Sequence, residues 1–312
     1  MSRPVNPPPS DSTETTPDVG WTPIAEEAAR AARLLHPEEG TLPRPGRRRV
    51  LTVANQKGGV GKTTSTVNLA AALAVHGLKT LVVDLDPQGN ASTALDVDHR
   101  SGTPSIYEVL IGEVTLAEAA QATEQSPNLF CVPATIDLAG AEIELVSMAS
   151  RESRLKEAIS SEILNEIGVD YVFIDCPPSL GLLTVNAMVA AQEVLIPIQC
   201  EYYALEGLGQ LLSNIELVQQ HLNRELHVST ILLTMYDGRT KLADQVTNEV
   251  RSHFGDTVLK TVIPRSVKVS EAPGYGQTVL AYDPGSRGAM SYVDAAKEIA
   301  ERGAKLERGS ST

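Results

Sequence analysis

Apolar residues along this chain fall into two alternating patterns. Seven short runs are almost continuously apolar, at 50–54, 80–84, 128–132, 170–175, 193–197, 228–234 and 258–262. Runs such as Leu81-Val82-Val83 and Tyr171-Val172-Phe173-Ile174 lack the polar alternation of a strand with one wet face, so they predict strands covered on both faces. Between them lie stretches with apolar residues at helical spacing, at 61–76, 104–111, 137–148, 152–167, 180–190, 205–221, 240–254 and 287–302. Gly77 is placed to cap the first of these. Strand–helix alternation of this kind predicts an α/β fold, a mostly parallel twisted sheet flanked by helices on both faces. There is no internal repeat.

The alternation stops near both ends. Residues 1–49 contain nine of the 19 prolines and many Ser, Thr, Glu and Arg, a composition that cannot bury a core. Residues 1–48 are therefore expected to be a disordered tail, 49–303 the folded domain and 304–312 a polar C-terminal tail. About 250 residues suffice for a full core without disulfides or metals. Within the N-terminal tail, Pro23 to Leu35 predicts a short amphipathic helix with Ile24, Ala28, Ala31, Ala32 and Leu35 on one side. It reads as a transient helix or as an element that docks on a further protein. Arg47-Arg48-Arg49 is expected to be a solvated flank of the first strand, with a nucleic-acid contact as the other reading.

Charge and cysteine content narrow the class. A net charge of −13 argues against a protein that binds polyanions over its whole surface. Residues 239–270 run the other way, with six basic side chains (Arg239, Lys241, Arg251, Lys260, Arg265, Lys268) against three acidic ones. Cys131, Cys176 and Cys200 lie far apart, each in or beside an apolar run, and are expected to be buried free thiols in a reducing cytosol. No apolar run approaches 18 residues and the N-terminus lacks a signal-peptide core, so a cytoplasmic protein with no membrane span is expected.

One segment carries specific chemistry. Residues 57–64, Lys-Gly-Gly-Val-Gly-Lys-Thr-Thr, follow the run at 50–54 and lead into the helix at 61–76. Strand, glycine loop and helix are the context of a phosphate-binding loop. Its glycines let backbone N–H groups converge on phosphate oxygens, and the helix N-terminus adds partial positive charge. Lys62 would reach the β- and γ-phosphates of a nucleotide and the Thr63 hydroxyl would ligate Mg²⁺. Asp84, Asp86 and Asp175 stand at or just after the ends of two apolar strands, where α/β sheets bind ligands. A carboxylate in the place of Asp175 holds Mg²⁺ directly or through water. Asp84 is left with two roles, an outer contact to the cation or a brace for the loop. The pattern departs from the usual one: Gln56 stands where a glycine is expected, and a second lysine, Lys57, opens the loop.

That early lysine resembles the signature of the deviant Walker A motif in the ParA/MinD group of ATPases. The stretch Asn55-Gln56-Lys57-Gly58-Gly59 is similar to chromosomal ParA (Soj) proteins. The resemblance continues through Val83-Asp84-Leu85-Asp86-Pro87-Gln88-Gly89-Asn90, Ile174-Asp175-Cys176-Pro177-Pro178-Ser179, Gln199-Cys200-Glu201-Tyr202-Tyr203-Ala204 and Thr261-Val262-Ile263-Pro264-Arg265, so it covers about residues 49–303. It implies an ATP- and Mg²⁺-dependent ATPase with Lys57, Lys62 and Asp86 as catalytic residues, Asp86 positioning the attacking water. Gly58, Gly59, Val60, Gly61, Lys62, Thr63 and Thr64 would cradle the phosphates, with Lys57 reaching the nucleotide of a partner subunit. Pro264 and Ser266 would border the adenine; Ser266 replaces the family's usual Asn. The resemblance also implies an ATP-bound homodimer on non-specific DNA at the nucleoid, released when a ParB-type protein stimulates hydrolysis. Arg239 matches one DNA-contacting position, while a second, basic in some members, is Glu216 here; Lys241, Arg251, Lys260 and Lys268 complete the candidates. The competing reading, a MinD-like membrane-cycling regulator of the division site, needs an amphipathic C-terminal helix with bulky apolar residues, and only Leu306 in the last residues qualifies. An electron-transfer ATPase of the nitrogenase iron-protein type lacks the cysteine spacing for a cluster, and a metabolic kinase would leave Lys57 without a purpose.

Overall fold

In a computed structural model of the protein, residues 42–159, 161–202 and 207–305 are described. The amphipathic segment at 23–35 and Leu306 lie outside them. Eight strands form one sheet: β1 (Arg49–Val53), β2 (Thr80–Asp84), β3 (Gln121–Thr123), β4 (Ser126–Val132), β5 (Tyr171–Asp175), β6 (Glu193–Gln199), β7 (His227–Tyr236) and β8 (Val258–Pro264). The helices are α1 (Lys62–Val75), α2 (Asn90–Ala94), α3 (Ile106–Ile111), α4 (Leu116–Ala119), α5 (Leu138–Val146), α6 (Arg154–Ala158), α7 (Ser161–Ile167), α8 (Leu182–Ala190), α9 (Leu208–His221), α10 (Lys241–Phe254), α11 (Val267–Glu271), α12 (Val279–Tyr282) and α13 (Arg287–Lys305). The strand order is β3-β4-β2-β5-β1-β6-β7-β8, parallel throughout except for the short edge strand β3.

The sheet separates two apolar layers, as the continuous runs predict. Val50, Val83, Val172, Ile174, Val194 and Ile196 face the layer built from α3 to α10. Leu51, Val53, Val82, Tyr171, Phe173 and Leu195 face the opposite layer, where α1 and α13 pack. Helix α1 is buried nearly all round, which its Ala70-Ala71-Ala72 run permits. It ends in a Schellman arrangement: Gly77 takes φ +85°, its N–H donates to the carbonyl of Ala74, and the N–H of Leu78 donates to that of Leu73. Cys131, Cys176 and Cys200 are buried and free, as expected.

Four features differ from the sequence expectation. The stretch expected as one helix at 152–167 is two, α6 and α7. The edge strand β3 and the short helices α2, α4, α11 and α12 have too few residues to show a period. The folded part extends past both expected boundaries: Leu42 is buried and its N–H donates to the carbonyl of His76, and α13 runs to Lys305. The arginine run is no solvated flank. Only Arg47 is well exposed. Arg48 donates to the carbonyl of Val169 and to the side chain of Asn165, and Arg49 is 4% exposed.

Arg49 closes the amino-terminal edge of the sheet. Its guanidinium makes a fork of two hydrogen bonds to Glu193, at 2.7 and 2.5 Å, and a third to the carbonyl of Ile299 on α13. A Cβ on Gly303 would lie 2.9 Å from that guanidinium, so glycine makes room for the pair. Burial pushes the Glu193 carboxyl up, but the hydrogen bonds and charge of Arg49 outweigh it and hold it below the usual range. Removing one partner strands the other charge, so Glu193→Ala should lower unfolding free energy by about 3–5 kcal/mol at neutral pH. Because the folded carboxyl is depressed, its contribution is complete above the ordinary pKa of about 4.3 and disappears as pH falls through the lower folded value. Urea unfolding of both proteins from pH 7 downward should show the gap closing in acid; a gap independent of pH would mean that lost packing, not the ion pair, is measured.

Candidate nucleotide site

The loop between β1 and α1 is held open by its neighbours. Gly61 takes φ +89° and precedes α1 without a side-chain cap, so the first N–H groups of the helix remain available to a ligand. A Cβ built on Gly58 or Gly59 would meet nothing within 4 Å, so both border open space. Three contacts brace the loop. Asn55 donates to the carbonyl of Pro197 at 2.8 Å and accepts from the N–H of Lys57 at 3.0 Å. Thr234, near the end of β7, donates to the carbonyl of Val60 at 2.8 Å. The Lys62 ammonium lies 3.4 Å from the carbonyl of Lys57, folded across the loop.

The space under this loop is a cleft of about 440 Å³. Gly58, Gly59, Gly61, Lys62, Thr63, Thr64 and Asp86 all line it, which brings those expected residues together. Val60 is buried. Lys57 is half-buried, and its side chain is not among those lining its own cleft. Pro264 and Ser266 do not line it either. They stand at the end of β8, and the cleft wall on that side is Met235 and Pro273. Met235 has φ +52°, a conformation that costs a side-chain-bearing residue strain. It lies between Thr234, which binds the loop, and Tyr236, whose carbonyl accepts from the N–H of Arg265.

Two buried carboxylates lie behind the cleft. Asp84 and Asp175 end β2 and β5 and are directly opposite in the parallel register. Thr63 donates to one oxygen of Asp175 at 2.7 Å and Thr66 to the other at 3.1 Å. Burial pushes both carboxyls well up; the charges of Asp84 and Asp86 push Asp175 further, and that of Asp86 pushes Asp84, while the hydroxyl bonds to Asp175 and the bonds from Ser92 and Asp86 to Asp84 only partly offset this. Burial lowers the Lys62 ammonium, against the pull of Asp175, Cys176 and Asp86. A second cation would relieve the two carboxylates. The donors on offer, the Thr63 hydroxyl and the Asp175 carboxylate, fit Mg²⁺, which takes few protein ligands and completes its octahedron with phosphate and water.

The five basic candidates do not form one cluster. Arg239 lies between β7 and α10 and Lys241 opens α10, both at the carboxyl edge of the sheet, and Lys268 is on α11, which follows β8. Arg239 is 88% exposed and makes a two-pronged ion pair with Asp237, while Lys268 pairs with Glu271 and lies over the ring of Tyr282. Arg251 donates to the carbonyls of Leu259 and Lys260, a contact that ties α10 to the start of β8. Lys260, exposed, is in the first half of β8, away from the carboxyl edge. Glu216 is exposed on α9. Sequence reasoning missed Asn55, Thr234, Met235 and Ser92 as parts of the site. Asn55 carried a signal, a polar residue directly after an apolar strand; the others are ordinary strand and helix residues that only tertiary contact brings to the loop.

Comparison with known proteins agrees with this geometry. Residues 48–228 match an AAA domain family. The chain is 52% identical over 255 residues to the sporulation initiation inhibitor protein Soj of Bacillus subtilis, covering 82% of this chain and 99% of that protein. It is 50% identical over 254 residues to the chromosome partitioning protein ParA of Caulobacter vibrioides, covering 81% and 94%. Among solved structures it is similar to a cobyrinic acid a,c-diamide synthase from Mycobacterium smegmatis with bound ADP and magnesium, at TM-score 0.67, 41% identity, 80% of this chain and 92% of that one. It also resembles the cell division ATPase MinD of Pyrococcus furiosus, at TM-score 0.65, 28% identity, 81% and 99%. A phosphate-binding loop with a second lysine, on this sheet and at this identity along nearly the whole length of Soj, has one reading: the chain belongs to the ParA/Soj family of P-loop chromosome-partitioning ATPases.

Proposed function

We propose that this protein is a DNA-partitioning switch whose ATP-bound form is a homodimer on non-specific DNA at the nucleoid and whose hydrolysis, stimulated by a ParB-type partner, releases it. One observation carries the reading. Lys62 and Asp86 line the same cleft, while Lys57 stands on the same loop with its side chain outside that lining. A cleft with its own lysine has no local use for a second, so Lys57 is available to a neighbouring copy. The relatives' names, Soj and ParA, support the same reading.

ATP with Mg²⁺, when bound, supplies the phosphoryl group and the charge that the site must balance. The α1 N-terminus and the loop N–H groups would orient the phosphates, and the Lys62 ammonium would offset their negative charge. Thr63 donates its hydrogen to Asp175, which leaves its oxygen lone pairs for the cation. Asp86 would aim the water, a sufficient role because phosphoryl transfer needs positioning more than covalent help. The base would lie along Met235 and Pro273, with Pro264 and Ser266 as an outer rim. For DNA, Arg239 and Lys241 are the favoured contacts, with Lys268 on α11 as a third; a phosphate would compete with Asp237 for Arg239. Arg251 serves the fold. No described helix is long and apolar enough to cross a membrane.

Asp86→Ala should keep Mg·ATP binding and dimerise with ATP, yet turn over far more slowly than wild type. Lys57→Ala should bind ATP and stay monomeric. Light scattering with ATP and with ADP, beside a phosphate-release assay, checks both; an ATP dimer of Lys57→Ala would remove the proposed role in trans.

Arg239→Glu in the Asp86→Ala background should weaken binding to labelled duplex and flatten its dependence on salt by about one unit, because one phosphate contact is lost. Arg251→Gln should instead lower thermal stability and leave the salt slope alone. If Arg239→Glu binds DNA with unchanged slope and affinity, the DNA surface lies elsewhere.

A further inference from the structure

Asp84 is absent from the cleft lining, yet it is fully buried and both of its oxygens are engaged. One oxygen accepts from the N–H of Asp86 at 3.2 Å. The other accepts from the N–H of Ser92 at 2.8 Å and from its hydroxyl at 2.7 Å. The same Ser92 oxygen accepts from the N–H of Ala134 at 3.0 Å, which joins α2 to the segment after β4. Between these anchors the turn carries its own bonds. Asp86 accepts from the N–H of Gln88 through its side chain at 3.0 Å and from that of Gly89 through its carbonyl at 2.9 Å. Gly89 has φ +62°, and a Cβ there would lie 3.2 Å from the carbonyl of Ala134 and 3.3 Å from the ring of His99.

A second carboxylate buried beside Asp175 is an expensive way to cap a helix, since Ser92 lies inside α2 and an amide or hydroxyl would serve at lower cost. What a carboxylate does here is accept three donors from both ends of one turn. We infer that Asp84 is a positioning residue for ATP hydrolysis: by tying the N–H of Asp86 to Ser92 it fixes the Asp86 carboxylate on the cleft wall. This rests on Asp86 aiming the water. The other role for Asp84, an outer contact to the cation, is the alternative that the Mg²⁺ dependence of the rate tells apart.

The test uses the full-length chain with substitutions Asp84→Asn and Ser92→Ala, and Asp86→Ala as the reference. Four quantities are read: thermal unfolding, affinity for a fluorescent ATP analogue with Mg²⁺, kcat, and the Mg²⁺ concentration that gives half-maximal rate. Asp84→Asn keeps the shape but turns one acceptor oxygen into a donor facing a donor. Its kcat should fall on the order of a hundredfold, the loss that a misplacement of about 1 Å produces. Analogue affinity and the Mg²⁺ midpoint should stay at wild-type values. Ser92→Ala, which deletes one donor to Asp84 and the acceptor for the N–H of Ala134 but leaves the Ser92 N–H on Asp84, should lose roughly tenfold in kcat with analogue affinity unchanged. The Asp84→Asn/Asp86→Ala double variant should be no slower than Asp86→Ala, because residues acting as one unit are not additive. An unchanged kcat in both single variants overturns the inference. So does a rate restored by excess Mg²⁺, which would make Asp84 a cation contact, or a loss shared equally by affinity and melting temperature, which would make it purely structural. If Asp86→Ala itself keeps full turnover, the fault lies with Asp86 as the water-positioning group instead.

Discussion

A carboxylate buried at the tip of a central strand governs this structure. Asp175 cannot be left unsatisfied in an apolar layer, and the donors that reach it are the Thr63 and Thr66 hydroxyls on the first turns of α1. Those two bonds lock the phosphate-binding loop to β5 and bring the helix N-terminus to the carboxyl edge of the sheet. Asp84 opposite it in register repeats the demand, and the turn after β2 folds back to meet it. Two like charges so close are unfavourable in the bare protein. The Lys62 ammonium and a divalent cation are what such a pair calls for, so the cost of burying the carboxylates becomes affinity for the ligand.

The backbone at the cleft is shaped to match. Three of the nine positive-φ glycines among the described residues, Gly59, Gly61 and Gly89, stand beside it, and Met235 adopts that conformation without glycine's freedom. Strain is held there because β7 is paired on both sides and Thr234 and Tyr236 are bonded on either side of Met235. The opposite edge of the sheet is closed by Arg49 and Glu193, a pair satisfied without any ligand. One edge thus holds charge compensated within the fold, and the other holds charge that awaits a nucleotide.

Basic residues sort along the same division. Arg48, Arg49 and Arg251 are committed to carbonyls or carboxylates of the fold. Arg239 is exposed at the carboxyl edge, held by a single aspartate, in a chain whose overall charge is strongly negative.

How much of this was legible beforehand follows from the range of the forces involved. The seven long strands, α1 and its glycine cap, and the loop residues Gly58 to Thr64 are local: period, turn conformation and motif spacing lie within a few residues of each other, so the sequence determined them alone. The buried cysteines followed from the apolar runs that hold them, and the meeting of Thr63 with Asp175 followed because α/β sheets gather their loops beyond the carboxyl ends of the strands. What the sequence could not decide were contacts between residues far apart. Three adjacent arginines look alike on paper, yet Arg49 finds Glu193 144 positions away and is buried, while Arg47 is exposed. Thr234 and Ser92 resemble any strand or helix residue until tertiary packing sets them against the loop and against Asp84. The boundary near Leu42 was invisible for the same reason: one leucine has no period, and only the groove beside His76 makes it part of the core.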